Sequence, residues 1–172
     1  MFFYYILILR LLHIIAGVFW AGATFAIVGF VQPAVKATAP AGGRVMQQMV
    51  KQGRFSTTLA VAALVTAGSG ILLYERVSGG FRPEWIFSGP GVALTIGGLA
   101  GIIAAVIGGR IIGPTSMRIA DLGEKMQVGG GPPEPATLAE MEALQQRMTT
   151  WGRAAAVLLI VAIIGMSLAD YM

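Results

Sequence analysis

Long apolar stretches alternate with short polar segments along the whole chain. Each stretch is long enough for the roughly 20 helical residues that cross the hydrocarbon core of a bilayer. The four stretches cover about residues 3–31, 55–77, 91–112 and 151–168. Runs rich in glycine and proline interrupt the segments that join the first stretch to the second and the third to the fourth. The pattern predicts an all-α fold, an integral membrane four-helix bundle that forms a single domain.

Residues at the edges of the stretches predict where helices begin and continue. Ser88 is a suitable N-cap for the third helix. The segment that starts at Arg44 lacks a proline, which predicts one long helix running into the second span. Pro114 is expected to end the third helix or to kink it, in which case residues 115–128 continue it into water. The spacing at 137–140 is that of a capping box, and it predicts the start of a long last helix after a linker at 129–136.

The amino-acid composition also indicates a membrane protein. The chain of 172 residues is 56% hydrophobic and only 12% charged, whereas soluble domains contain about 25% charged residues. Lipid must therefore cover much of the surface. The first stretch is longer than the roughly 7–15 apolar residues of a signal peptide, so we interpret it as a retained span. The net charge of +4 arises mainly in loops between spans, so no nucleic-acid partner is expected.

Lysine and arginine are concentrated on one side of the predicted bundle. Nine lie in the segments that join spans one to two and three to four: Lys36, Arg44, Lys51, Arg54, Arg110, Arg118, Lys125, Arg147 and Arg153. The other side carries Arg10, Arg76 and Arg82. The positive-inside rule therefore predicts a multi-pass protein of the cell (inner or plasma) membrane, with both termini on the outer, periplasmic or extracellular side.

One face of the first span carries the residues best suited to chemistry. Arg10, His13, Gly17 and Trp20 share a helix face, and His13 is the only histidine of the chain. An ionisable group inside a span marks a candidate functional site. The geometry suits haem b, with His13 as axial ligand, Arg10 on the propionates, Gly17 leaving room for the ring and Trp20 beside it. The second axial ligand is expected to be Met166, a water or His13 of a second copy.

Other interpretations of the same residues stay open. His13 can instead form a hydrogen bond across the bundle, while Arg10 reaches the surface or pairs with Glu75 or Asp170. A non-catalytic accessory subunit of a larger membrane complex is the main alternative function. A copper-handling protein is the third, because thioether sulfur selects Cu(I), although the nine methionines do not cluster. The chain has no cysteine, and the acids nearest the span interiors, Glu75 and Asp170, sit at span ends. This excludes thiolate sites and disfavours a proton-relay transporter, which needs a buried carboxylate.

Glycines in the third span predict close helix packing. Gly97 and Gly101 form one small-xxx-small pair, and Gly109 and Gly113 form another. Such pairs let two backbones approach closely in lipid. They are expected to pack inside the bundle, or to form a homodimer or a contact with a larger membrane complex.

The first span also resembles known families. Residues 11–22, LLHIIAGVFWAG, resemble the first-helix signature of copper-resistance-D-type membrane proteins and their small uncharacterised four-helix relatives. They are distantly similar to the first helix of the four-helix membrane protoporphyrinogen oxidases, which are linked to haem b. The resemblance implies that His13 is a ligand or functional residue, with Trp20 and Gly22 as its packing context. The further histidine and lysine positions of the oxidases are absent here.

Overall fold

The computed structural model describes residues 2–39, 41–51, 54–128 and 134–172, and the described chain is helical without strands. Eight α-helices follow one another: α1 Phe2–Ala26, α2 Gln32–Ala37, α3 Ala41–Lys51, α4 Phe55–Val77, α5 Pro83–Ile86, α6 Gly89–Ile107, α7 Gly113–Val128 and α8 Pro135–Leu168. A π-helical segment, Ile27–Val31, joins α1 to α2, and a second, Gly108–Ile112, joins α6 to α7. A 3-10 turn, Ala169–Tyr171, ends the chain.

Four of the helical runs are long and apolar enough to cross a membrane, as the sequence predicts: Phe3–Ala37, Phe55–Val77, Gly89–Val128 and Pro135–Tyr171. Large apolar side chains remain exposed on their outer faces, among them Ile15 and Val18 on α1 and Leu64 on α4. In water such a surface would drive aggregation. The fold is therefore that of a membrane protein, with these faces turned to lipid.

The spans pack as two hairpins. The most extensive contacts join α6 to α8 and α1 to α4. At the centre, all four spans contribute to one buried cluster: Trp20, Ala21, Ala62, Ala63, Ala104 and Leu159. Alanine at most of these positions lets the helices approach closely around the single large side chain of Trp20.

The two ends of the bundle differ in charge. The basic end comprises α2, α3, α7 and the first half of α8, and it carries Lys36, Arg44, Lys51, Arg54, Arg110, Arg118, Lys125, Arg147 and Arg153. The terminal end comprises the start of α1, the end of α4, α5, the start of α6 and the C-terminus. Gly89 of α6 lies against Met172 there: a β-carbon on Gly89 would be 3.3 Å from that of Met172.

Helix starts agree only partly with the sequence predictions. The Oγ atom of Ser88 accepts the Gly91 N–H at 3.3 Å, which confirms the predicted N-cap. The predicted single helix from Arg44 into the second span is wrong, because Arg54 adopts a left-handed conformation with φ of 50° and a right-handed helix cannot pass through it. The predicted start at the capping box is also wrong. The last helix begins earlier, at Pro135, where proline at the first position is favoured.

Residues 129–133 of the predicted linker lie outside the described part of the chain. Pro135 and Ala136, its last residues, are already helical. Pro114 does not end the third helix: α7 continues beyond it after a π-helical segment. The run Gly89–Val128 has 40 residues, or about 60 Å of helix, which is twice the hydrocarbon thickness of about 30 Å. A run of this length therefore extends well beyond the hydrocarbon core.

Ion pairs hold α3 and α8 against α7 at the basic end. Lys51 pairs with Asp121 at 2.8 Å and also with Glu124, and Arg118 pairs with Glu140 at 2.7 Å. The hydrogen bond from Lys51 lowers the pKa of Asp121, and the hydrogen bond to Asp121 raises the pKa of Lys51. These groups are exposed, so each pair contributes little to stability alone. Together they hold α3, α7 and the first half of α8 in place as a polar layer above the spans.

Candidate functional site

His13 is held by the backbone of α4. Its Nδ1 atom lies 2.8 Å from the carbonyl oxygen of Thr66, the middle residue of α4. A carbonyl oxygen can only accept, so Nδ1 carries a proton. In the neutral ring Nε2 is then unprotonated and has a free lone pair. Ligating histidines are commonly oriented in this way, by a hydrogen bond from the other ring nitrogen to a carbonyl.

The second ring nitrogen of His13 has no hydrogen-bond partner within the described bundle. Nε2 of His13 makes no hydrogen bond to a described residue. No fully buried side-chain nitrogen or oxygen in the described chain lacks a partner. Nε2 is therefore not fully buried. The imidazole thus presents one anchored nitrogen to α4 and one available nitrogen to a ligand.

Gly70 creates the space in which the imidazole lies. A β-carbon at this position would be 2.8 Å from Cε1 and 3.1 Å from Nδ1 of His13. Any larger residue would therefore push the ring away from the Thr66 carbonyl. The Thr66 hydroxyl donates to the Ala62 carbonyl at 2.7 Å and does not compete for the ring. The sequence reasoning missed Thr66 and Gly70 as parts of this site, since they lie 53 or more residues from His13.

Gly17 and Trp20 take part in packing. A β-carbon on Gly17 would lie 3.4 Å from Cγ2 of Thr66, so this glycine faces α4 one turn below the imidazole. Trp20 is 8% exposed and belongs to the central cluster. Gly17 therefore packs against the residue that holds His13, and Trp20 packs in the central cluster. The space that Gly17 was expected to leave for a cofactor is taken by Thr66.

Arg10 lies about one turn from His13 toward the terminal end. It is exposed, and it makes no ion pair or hydrogen bond with a described residue. Glu75, one of its expected partners, instead pairs with Arg76 at 3.3 Å, and the Arg76 guanidinium lies over the Tyr5 ring. A guanidinium within a span calls for an anionic partner. Arg10 therefore remains available to a carboxylate supplied from outside the chain.

Met166 belongs to the other hairpin. Its backbone nitrogen lies 3.3 Å from the point that a β-carbon on Gly97 of α6 would occupy, whereas His13 faces α4. The structure thus places Arg10 and His13 on α1, and Met166 on α8, which pairs with α6.

The glycines of the third span differ in environment. Gly97 is buried against α8, because a β-carbon there would lie 3.0 Å from the Ala162 carbonyl. Gly101 faces Ala162 more loosely, at 3.9 Å, and Gly113 faces its own helix at the Gly108 carbonyl. Gly109 has no atom within 4 Å of that position. Packing inside the bundle thus uses Gly97 and Gly101, and a contact with another chain stays a prediction.

Comparisons with known proteins do not assign the site. No family model, curated protein or solved structure matches this chain. The resemblance to copper-resistance-D-type proteins and to membrane protoporphyrinogen oxidases therefore stays a prediction that rests on residues 11–22. Among the described residues, no group of three or more histidine, cysteine, aspartate or glutamate side chains could hold a metal ion. This search concerns metal ions that are coordinated by three or more protein side chains. A haem iron needs only one or two axial ligands from the protein.

Proposed function

We propose that this protein is an integral membrane haem b-binding protein, with a role in electron transfer or haem handling. The observation that carries the proposal is the 2.8 Å hydrogen bond from Nδ1 of His13 to the Thr66 carbonyl. It fixes the ring and leaves Nε2 free to act as an axial ligand. The fit of the donor chemistry is good, because neutral imidazole is a common haem ligand. When bound, the haem supplies a one-electron redox couple.

The residues of the chain have distinct roles in this proposal. His13 would hold the iron through Nε2, and the Thr66 carbonyl holds the ring in the tautomer that this requires. Gly70 provides the space that the ring needs. Arg10, which has no partner in the described chain, pairs with a haem propionate by charge-assisted hydrogen bonds.

Haem titration of the purified protein tests the proposal. Wild-type protein in detergent is expected to develop a Soret band that saturates with haem, and His13→Ala should abolish the saturable part. Arg10→Gln should weaken binding about tenfold, by loss of a charge-assisted hydrogen bond. Arg82→Gln, at an exposed cation of the same end, is the matched control and should bind as wild type does. A protein that shows no Soret band even with excess haem contradicts the proposal.

We propose further that the basic end faces the cytoplasm and both termini face outward, in the cell membrane. The nine lysines and arginines at that end support this orientation. The chain has no cysteine, so a single introduced cysteine is the only thiol of the protein. Its labelling shows on which side of the membrane that residue lies. In intact cells, a membrane-impermeant maleimide should label Glu84→Cys on α5 and spare Gln146→Cys on α8. The reverse labelling contradicts the orientation.

A non-catalytic subunit of a larger membrane complex is the second candidate. Gly98 on α6 and Gly109 in the π-helical segment that follows it favour this candidate, because neither has an atom within 4 Å of a β-carbon position. Such open small residues suit a partner helix. This candidate predicts a stoichiometric partner after gentle purification, and assembly that is indifferent to His13→Ala. A copper-handling role is third, and metal analysis of wild-type protein and His13→Ala distinguishes it.

A further inference from the structure

The second π-helical segment leaves the Gly109 carbonyl without a helical donor. In Gly108–Ile112, the N–H of Gly113 donates to the carbonyl of Gly108, five residues earlier. The Gly109 carbonyl therefore loses its α-helical donor, Gly113. Its π-helical donor would be residue 114, which is proline and has no N–H. No described side chain donates to this oxygen either.

The surface around that carbonyl is open. Neither Gly108 nor Gly109 has an atom within 4 Å of a β-carbon position. The next residue, Arg110, is exposed and makes no ion pair or hydrogen bond with a described residue. The Gly109 carbonyl, which lacks a helical donor, thus lies next to Arg110, which lacks an anionic partner in the described chain. Both lie at the basic end of the third span, where the apolar stretch ends.

The first π-helical segment has the same backbone pattern but a different neighbour. Gln32 donates to the Ile27 carbonyl and Pro33 follows, so the Val28 carbonyl also lacks a helical donor. Gly29 is as open as Gly109, but α8 packs against Val28: a β-carbon on Gly152 would lie 3.3 Å from Cγ2 of Val28. The residue that follows in the sequence is Gly29, where the second segment has Arg110. This segment therefore serves as an internal control for the cation.

The chemistry of the second segment defines its ligand. A carbonyl without a donor is costly near hydrocarbon and calls for a hydroxyl or an amine. A guanidinium calls for a phosphate or a carboxylate. We propose that Gly109 and Arg110 bind the headgroup of an anionic phospholipid that carries a hydroxyl, such as phosphatidylglycerol. The phosphate binds the Arg110 guanidinium, the headgroup hydroxyl donates to the Gly109 carbonyl, and the lipid lies against the open glycine surface.

Lipid retention measured by native mass spectrometry tests this site. The protein is released from nanodiscs that contain equal amounts of phosphatidylglycerol, phosphatidylmethanol and phosphatidylcholine. Phosphatidylmethanol has the same charge but no headgroup hydroxyl. Wild-type protein should retain phosphatidylglycerol about fivefold over phosphatidylmethanol, the worth of one hydrogen bond. Wild-type protein should retain each anionic lipid more strongly than it retains phosphatidylcholine.

Two variants separate the two contacts. Arg110→Gln should lower retention of both anionic lipids about tenfold, whereas Arg147→Gln, at an exposed cation of the same end, should leave it unchanged. Pro114→Ala restores an N–H near Gly109, so it should abolish the preference for phosphatidylglycerol while anionic lipids stay bound. Pro33→Ala should leave the preference intact.

The proposal fails if folded Arg110→Gln protein retains phosphatidylglycerol as wild type does. It also fails if the hydroxyl preference survives Pro114→Ala. A free phosphate would bind Arg110 by the same chemistry, so inorganic phosphate is added as competitor. Lipid retention that resists millimolar phosphate supports a lipid ligand, and full displacement by phosphate contradicts it. None of these outcomes depends on haem binding.

Discussion

Replacement of Gly70 by alanine tests how the bundle holds His13. The added β-carbon would lie 2.8 Å from Cε1 and 3.1 Å from Nδ1 of the imidazole, closer than van der Waals contact allows. The ring must therefore move away from α4 and lose its hydrogen bond to the Thr66 carbonyl. This single methyl group changes no charge and removes no ligand atom.

The size of the effect follows from two opposing contributions. A buried donor left without its acceptor costs about 1–3 kcal/mol, while alanine in place of glycine within a helix contributes about 1 kcal/mol of stability. Gly70→Ala should therefore lower the free energy of unfolding by about 0–2 kcal/mol. Gly68→Ala is the matched control, because no atom lies within 4 Å of its β-carbon position. The two variants should differ by about 1–3 kcal/mol.

Two measurements on the same pair of variants check this reasoning. Steric trapping or thermal unfolding in detergent gives the stability difference. Haem titration gives the effect on ligand orientation, where loss of an outer-shell hydrogen bond typically costs about 10–100-fold in affinity. Gly68→Ala should bind haem as wild type does. If both variants show the same stability and the same haem affinity, the hydrogen bond to Thr66 does not position His13.

Three further predictions test the packing, the helix cap and the polar layer. Gly165→Ala should destabilise the α6–α8 hairpin by about 1–3 kcal/mol, since its β-carbon would lie 2.7 Å from the Ala93 carbonyl. Gly98→Ala is the control and should not lower stability, because its β-carbon meets no atom within 4 Å. Equal unfolding temperatures for the two variants would argue against close packing of α6 on α8 at Gly165. Ser88→Ala removes the acceptor of the Gly91 N–H and should cost about 1 kcal/mol, measured by thermal unfolding, whereas Ser167→Ala at an exposed position should be neutral. The Lys51–Asp121 pair joins α3 to α7, and it lowers the pKa of Asp121 from its ordinary 3.8 and raises the pKa of Lys51 from its ordinary 10.5. The pair therefore contributes fully to stability between pH 3.8 and pH 10.5. This contribution is lost as the pH falls through the lowered pKa of Asp121 or rises through the raised pKa of Lys51. The distance between spin labels on α3 and α7 should therefore stay constant near neutral pH and lengthen in strong acid, and an acid-induced change equally large in Asp121→Asn would show that other groups cause it.

The span pattern was predictable because hydrophobic runs report directly on burial in lipid. The second span, Phe55–Val77, agrees with its predicted bounds. The break before it was not predicted, because Arg54 is not a residue type that signals a left-handed conformation. The π-helical segments were likewise missed. Pro114 predicted a kink or an end, whereas the helix widens and continues.

The candidate site was predictable only on its own helix. His13 was conspicuous as the sole histidine, within an apolar run and beside Arg10. Its partners on α4 were not, since Gly68 and Gly70 look alike in the sequence. Only the register in which α1 packs on α4 places Gly70 against the imidazole and leaves Gly68 without a neighbour. That register depends on the whole set of interhelical contacts and not on local periodicity.

The most direct test of haem binding through His13 is the absorption spectrum of the protein as extracted from membranes. Cells that make haem should yield wild-type protein with a Soret band and a stoichiometric b-type pyridine haemochrome. His13→Ala, extracted in the same way and shown to be folded by its helical circular dichroism, should lack both signals. A wild-type spectrum without haem, or a haem content unchanged in His13→Ala, would contradict the account.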